Sequence, residues 1–360
     1  MKHWKPNELA ALKKMRQRFL EGTAGDADYW ARETDLALYD STFGERIGWK
    51  WDAVLRELAM RRWQPKSSAV LDWGCGSGVA GRRVIARWPH FTSLAVYDRS
   101  PLAVKFAMDR AREEFPRLHV SKVMSQPLSG TLLVLSHVIN ELSSGEYARV
   151  IETLAKSNEI IWVEAGTHAD SRRLIEVRET LRADFAPVAP CTHRAGCGLL
   201  APENAAHWCH HLATPPPVAF QDARWAGWGR EMNIDLRRLP YSFLVLERAG
   251  IAAPAGFSRV IGEPREAKGY LKVLSCQESG VVDIMLQKRD ATPLFRELRK
   301  NLEAPIYRWT LSGAESHGGK RAVTAESGVK TPGGQGAVAS VGNSKIISGE
   351  RLASLREDPS

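Results

Sequence analysis

Between residues 69 and 184, short strand-like runs alternate with helical stretches, and no other feature restricts the fold of this chain as much. Residues 69–72, 93–98, 119–124, 131–136 and 159–164 are strand-like runs, while 79–88, 101–115, 144–156 and 170–184 carry helical spacing. Strands separated by helices pair through crossovers rather than hairpins, so the pattern predicts an α/β fold with a parallel sheet covered on both faces. Residues 1–65 read as a helical N-terminal region and 66–186 as the α/β core.

The alternation breaks at residues 187–240, where proline, histidine, tryptophan and cysteine gather and Pro215-Pro216-Pro217 forms a stiff stop. This stretch reads as a Cys/His-rich insertion. Residues 241–310 return to regular structure: a strand over 241–246, then a hairpin of 269–274 and 281–287 whose turn carries Cys276. Residues 311–360 are rich in Gly, Ser, Ala and Thr and lose apolar periodicity, which predicts a disordered tail unable to offset its ordering entropy.

The loop Asp72-Trp73-Gly74-Cys75-Gly76-Ser77-Gly78 joins the first core strand to the first core helix. Glycines let backbone turn sharply and approach a ligand, and the helix start supplies unpaired N–H groups. Asp98 ends the next strand, where a carboxylate can accept hydrogen bonds from two ribose hydroxyls. This strand, glycine loop, helix, strand, acid series resembles class I S-adenosylmethionine-dependent methyltransferases rather than dinucleotide-binding proteins. The resemblance implies a Rossmann-like methyltransferase fold in which Gly74, Gly76 and Gly78 form the cofactor loop, Asp98 binds the ribose and Asp72 sits near the methionine end. Cys75 reads as a small packing residue of the loop.

Ser136-His137-Val138-Ile139-Asn140-Glu141 ends the fourth strand, which in such a fold faces the transfer site. His137, Asn140 and Glu141 are therefore candidate catalytic residues, with His137 or Glu141 as proton acceptor. The alternative is that they cap the strand and the following helix. No motif that orients an exocyclic amine for attack is present.

Cys191, Cys197, Cys209 and Cys276 lie outside the core alternation. Their spacing lacks the paired Cys-x2–4-Cys knuckles of most structural zinc ribbons and suits a cubane cluster, each iron held by one sulfur. His193, His207, His210 and His211 keep a Cys/His zinc site open, and four unrelated buried cysteines are the third alternative.

The formal charge is +9. Such a balance suits a polyanionic partner, nucleic acid above all, or simply a solvated basic surface. No stretch approaches the roughly 20 apolar residues that span a bilayer, and no secretory apolar core opens the chain, so a cytoplasmic protein without a membrane partner is expected.

Pro190-Cys191-x-His193-x3-Cys197, Trp208-Cys209-His210, Leu244-Val245-Leu246-Glu247-Arg248 and Arg259-Val260-Ile261-Gly262-Glu263-Pro264-Arg265 together resemble the methyltransferase-like small-ribosomal-subunit proteins. These are bacterial relatives of the mitochondrial assembly factor called methyltransferase-like protein seventeen. The resemblance covers residues 30–290 and implies association with the small ribosomal subunit and its rRNA during assembly or in translation. It also implies a 4Fe–4S cluster on Cys191, Cys197, Cys209 and Cys276, and an RNA-facing surface of Arg259, Arg265, Lys268 and Lys272. The location implied is the bacterial cytoplasm, or the mitochondrial matrix in a eukaryote, and the free protein is expected to be a monomer. The chain has Cys191-Thr192-His193 where the family commonly has Cys-Pro-His. An active S-adenosylmethionine-dependent rRNA methyltransferase is the alternative function.

Overall fold

The computed structural model describes residues 4–21, 30–123, 130–248, 250, 256–300, 303–312 and 344–352. Three helices come first: α1 (Pro6–Glu21), α2 (Glu33–Tyr39) and α3 (Glu45–Met60), the last two joined by one π-helical turn. The core then alternates as β1 (Ala69–Trp73), α4 (Val79–Arg87), β2 (Ser93–Tyr97), α5 (Pro101–Glu114), β3 (His119–Lys122), β4 (Thr131–Ser136), α6 (Ser144–Lys156), β5 (Glu159–Ala165) and α7 (His168–Leu181). The strand expected over 119–124 stops at Lys122, and Met124 lies outside the described residues.

The chain continues through β6 (Ala186–Ala189), β7 (His211–Leu212), α8 (Val218–Gln221), α9 (Ala223–Glu231) and β8 (Pro240–Glu247). These strands complete one sheet in the order β3-β2-β1-β4-β5-β8-β6, with β7 on the end of β8. The first five strands run parallel, and β8 runs antiparallel between β5 and β6. Leu132, Leu133, Val134 and Leu135 of the central β4 are all buried, as a strand covered by helices on both faces requires.

The stretch expected to be a separate insertion from residue 187 instead supplies the sheet edge. β6 contains Pro187, which lacks the N–H a central strand needs and is tolerated at an edge.

The remaining elements form a second body: β9 (Ser258–Ala267), β10 (Tyr270–Gln277), β11 (Gly280–Gln287), α10 (Thr292–Leu298), β12 (Ile306–Ser312) and β13 (Lys345–Arg351). The five strands close a barrel in the order β10-β11-β13-β12-β9. Cys276 lies within β10, not in the turn of the hairpin. The region expected to be a disordered tail from residue 311 contains the end of β12 and all of β13. Ile346 is fully buried in the barrel core, so long-range pairing supplies the burial that local composition does not.

α3 ties the pieces together. Trp51, Val54, Leu55 and Leu58 bury its apolar face, and the Trp51 indole donates to Ser136 Oγ at 2.9 Å. At its far end Glu57, 1% exposed in its side chain, forms a fork with Arg259 of β9 at 2.6 and 3.0 Å. Glu57 also pairs with Arg61 at 2.8 Å.

Candidate functional site

The C-terminal ends of β1, β2 and β4 open into a cavity of about 700 Å³, walled on the far side by α1, α2 and α3. That volume suits a nucleoside-sized ligand. The glycine loop forms its floor. Gly74 N and Cys75 N both donate to Tyr97 O, at 2.7 and 2.9 Å, which folds the loop back over β2. Gly74 has φ +71°, and a Cβ there would stand 2.5 Å from Val138 Cγ1. Asp98 accepts from Gly76 N and Ser100 N, both at 2.9 Å, so its carboxylate is aimed by the loop and by the start of α5 together.

The cavity wall includes Gly74, Gly76 and Asp98 but neither Asp72 nor Gly78, which were expected among the cofactor-binding residues. Asp72 is buried beneath α4, accepting from Gly81 N at 3.0 Å, and burial pushes its carboxyl up to about 7. Gly78, at φ +77°, starts α4, and a Cβ there would meet Ala107. Both residues shape the loop from behind.

His137, Asn140 and Glu141 all line the cavity, yet two are already committed. His137 takes the left-handed backbone conformation, φ +56°, and its Nε2 lies 3.0 Å from Lys50 Nζ. Burial lowers both groups, Lys50 to about 7 with Arg46 contributing, and His137 well below its ordinary range. Glu141 pairs with Arg99 at 3.3 Å. Asn140 is exposed. Glu164, at the end of β5, accepts from Val138 N and Ile139 N at 3.0 Å and from the Trp162 indole; burial raises its carboxyl to about 8. It is a clamp on the turn after β4.

The four cysteines outside the glycine loop line a second, smaller cavity at the seam between sheet and barrel. Cys191 and Cys197 come from the loop after β6, Cys209 from the approach to β7, and Cys276 from β10. Apolar Leu174, Ile175, Leu199, Phe243 and Ile261 surround them, with Arg178 and Arg259 on the wall. The loop is held by backbone contacts to charged groups: Arg178 donates to Ala195 O at 2.8 Å, Arg61 to Pro190 O and Cys191 O at 2.9 and 3.1 Å, and Glu179 accepts from Cys197 N at 3.2 Å. Ser171 and Ser242 both donate to Cys209 O at 2.7 Å. Burial pushes the Cys197 thiol up to about 11, with the neighbouring Cys191 adding to it, and Cys209 and Cys276 rise for the same reasons.

Of the neighbouring histidines, His193 Nε2 lies 3.6 Å from Cys276 Sγ and His211 Nε2 3.7 Å from Cys209 Sγ. His210 stacks on Trp208. Among the described residues, no three His, Cys, Asp or Glu side chains stand close enough to hold one metal ion.

The expected RNA-facing set divides. Arg259 is fully buried, tied to Glu57 and His211, and cannot meet RNA. Arg265 and Lys272 are exposed and share Asp283, and Lys268 is exposed in the turn after β9.

Sequence reasoning missed Lys50, Glu57, Arg61 and Arg178. Their signal was present: Lys50, Val54, Glu57 and Arg61 recur at the spacing of one helical face, as do Leu174, Arg178 and Leu181. Charges at core spacing mark buried ion networks.

The family model described as "Mitochondrial small ribosomal subunit Rsm22" matches residues 50–303, more than half of the chain. No curated protein matches. Among solved structures, the chain is similar to a magnesium protoporphyrin IX methyltransferase from Synechocystis with bound SAH, at 12% identity and TM-score 0.35, covering 67% of this chain and 100% of that one. It is also similar to a candidate RNA methyltransferase from Pyrococcus horikoshii, at 12% identity and TM-score 0.34, covering 54% of this chain and 83% of that one. Scores of this size carry no argument about function.

Proposed function

We propose, from the premise that the chain belongs to the Rsm22 family, that it is a methyltransferase-like factor that binds the small ribosomal subunit and its rRNA during assembly or in translation. It binds S-adenosylmethionine in the cavity floored by Gly74 and Gly76, with Asp98 on the ribose, and carries a 4Fe–4S cluster on Cys191, Cys197, Cys209 and Cys276. The observation that carries the scaffold reading is the state of the cavity. It is large enough for a nucleoside cofactor, but His137 is engaged by Lys50, Glu141 by Arg99 and Glu164 by three donors.

The cluster reading is supported by the four thiols that line one apolar cavity. A single zinc with bonds of about 2.3 Å needs its sulfurs nearly in contact. A cubane instead holds each of its irons by one sulfur, so four thiols can serve it from a wider set of positions. When bound, the cluster supplies a rigid crosslink between the Cys191 loop and β10. The protein works in the bacterial cytoplasm, or in the mitochondrial matrix in a eukaryote. No helix among the described residues is long and apolar enough to cross a membrane.

Two measurements test this. The purified chain co-sediments with small subunits in a salt-sensitive manner; absence of sedimentation at low salt defeats the reading. Anaerobically purified protein absorbs broadly near 400 nm and carries about four irons, and Cys276→Ser removes both; colourless, zinc-loaded protein defeats the cluster.

One observation favours the active enzyme as second reading: exposed Asn140 lines the cavity just beyond the end of β4. Radiolabel passing from S-adenosylmethionine into small-subunit RNA, and lost in Asp98→Ala, would establish it.

A further inference from the structure

The order of the barrel strands is informative by itself. Numbered from its own start, the barrel runs first-second-third-fifth-fourth and closes on the first. α10 lies between the third and fourth strands, and the third and fifth meet in parallel, Met285 opposite Lys345. Closure is antiparallel, Ile306 opposite Arg259. This is the connectivity of the five-stranded oligonucleotide-binding barrel, whose ligands lie across the outer face of the second and third strands.

The interior is apolar. Val260, Leu271, Val273, Ile284, Leu286, Phe295, Tyr307 and Ile346 fill it. The outer face alternates with these positions and divides in two. Towards Cys276, the residues Leu274, Cys276 and Val281 pack with Leu199, Ile175 and Ile261 at the seam with the sheet. Towards the β9–β10 turn the face is open: half-buried Tyr270 stands opposite Gln287, and Lys272 opposite Met285 on one side and Arg265 on the other. Lys288 N donates to Gly269 O at 2.9 Å, which brings the end of β11 beside the turn that carries Lys268.

Arg265, Lys268, Lys272 and Lys288 lie on or beside this open half, with Asp283 as the facing acid. The side chains of Lys268 and Lys288 make no ion pair among the described residues, whereas Arg265 and Lys272 share Asp283.

We propose that this open half-face binds a single-stranded segment of RNA, with Tyr270 as the stacking platform and Lys268 and Lys288 on the phosphates. The proposal deepens, and rests on, the small-subunit reading. It assigns RNA contact to the barrel rather than to the methyltransferase-like sheet. Bases stack on a surface aromatic irrespective of sequence, and a flanking lysine pair neutralises backbone charge. The seam with the sheet covers the other half of the face, so the strand it accepts is short.

The test uses the full chain and a fluorescent oligouridylate of about ten nucleotides. Tyr270→Ala weakens binding by about tenfold or more. Lys268→Glu with Lys288→Glu weakens it further and makes the salt dependence shallower, by about 0.7 in log–log slope for each phosphate no longer neutralised. Unchanged melting temperatures show that these surface substitutions leave the barrel folded. If both variants bind the oligonucleotide like wild type while wild type sediments with small subunits, the barrel proposal fails and the broader reading stands. If binding depends on Tyr270 but wild type does not sediment, the broader reading fails instead.

Discussion

The glycine-loop cavity and the thiol cavity are built in opposite ways. The floor of the first is set by backbone from neighbouring stretches: Gly74 and Cys75 on Tyr97 O, Gly76 and Ser100 on Asp98. The second gathers Cys276 from the barrel and three sulfurs from the sheet edge, and charged side chains hold its loop. Local backbone geometry tolerates loss of a side chain. A long-range network of buried charges does not, because each partner left behind is an uncompensated ion.

Substitutions that separate the two designs are ranked by that difference. Glu57→Gln leaves the buried Arg259 and Arg61 without their carboxylate, and should cost about 3–5 kcal/mol in urea unfolding. A cost below about 1 kcal/mol would show that the network is not what holds the seam. Gly74→Ala forces a side chain into a left-handed position against Val138 and should cost about 2–3 kcal/mol, read the same way. Asp98→Ala should weaken binding of S-adenosylhomocysteine by roughly tenfold to hundredfold in calorimetry, the worth of charge-assisted hydrogen bonds to a ribose. Unchanged affinity would remove Asp98 from the site.

A further effect is one of pH. Glu164, raised from 4.5 to about 8, holds its proton more tightly folded than unfolded, so stability falls as pH climbs between those values. Lys50, lowered from 10.5 to about 7, holds its proton less tightly when folded, so stability rises from about 7 to 10.5. The opposed trends leave a minimum near pH 7–8. In Lys50→Met the alkaline recovery disappears and the decline from Glu164 remains; a variant that still recovers would reassign the effect.

What was legible in the sequence follows the same division. β1, β2, β4, β5 and β8 could be read because each holds a contiguous apolar run, β3 because it falls between helical stretches, and the glycine loop because its strand, turn and helix are adjacent. β6 was hidden by Pro187. β13 was hidden because Ile346 and Ile347 are its only large apolar residues and become a strand only by pairing with β12, far back in the chain. Lys50 meets His137 across 87 residues, and Glu57 meets Arg259 across 202. No local pattern announces such a partner. Arg259 reads as surface from sequence because arginine is rarely buried, and the exception is intelligible only once Glu57 lies opposite it.

Lys50 and Glu57 occupy the same side of α3, two turns and roughly 10 Å apart. One end of this helix touches an imidazole beside the nucleoside-sized hollow, the other a guanidinium beside the sulfurs. A hydrogen-bonded rod of this length tilts as a lever and does not bend in the middle. The grip of Arg259 and the contact of Lys50 with His137 thus act on one and the same helix, seven residues apart.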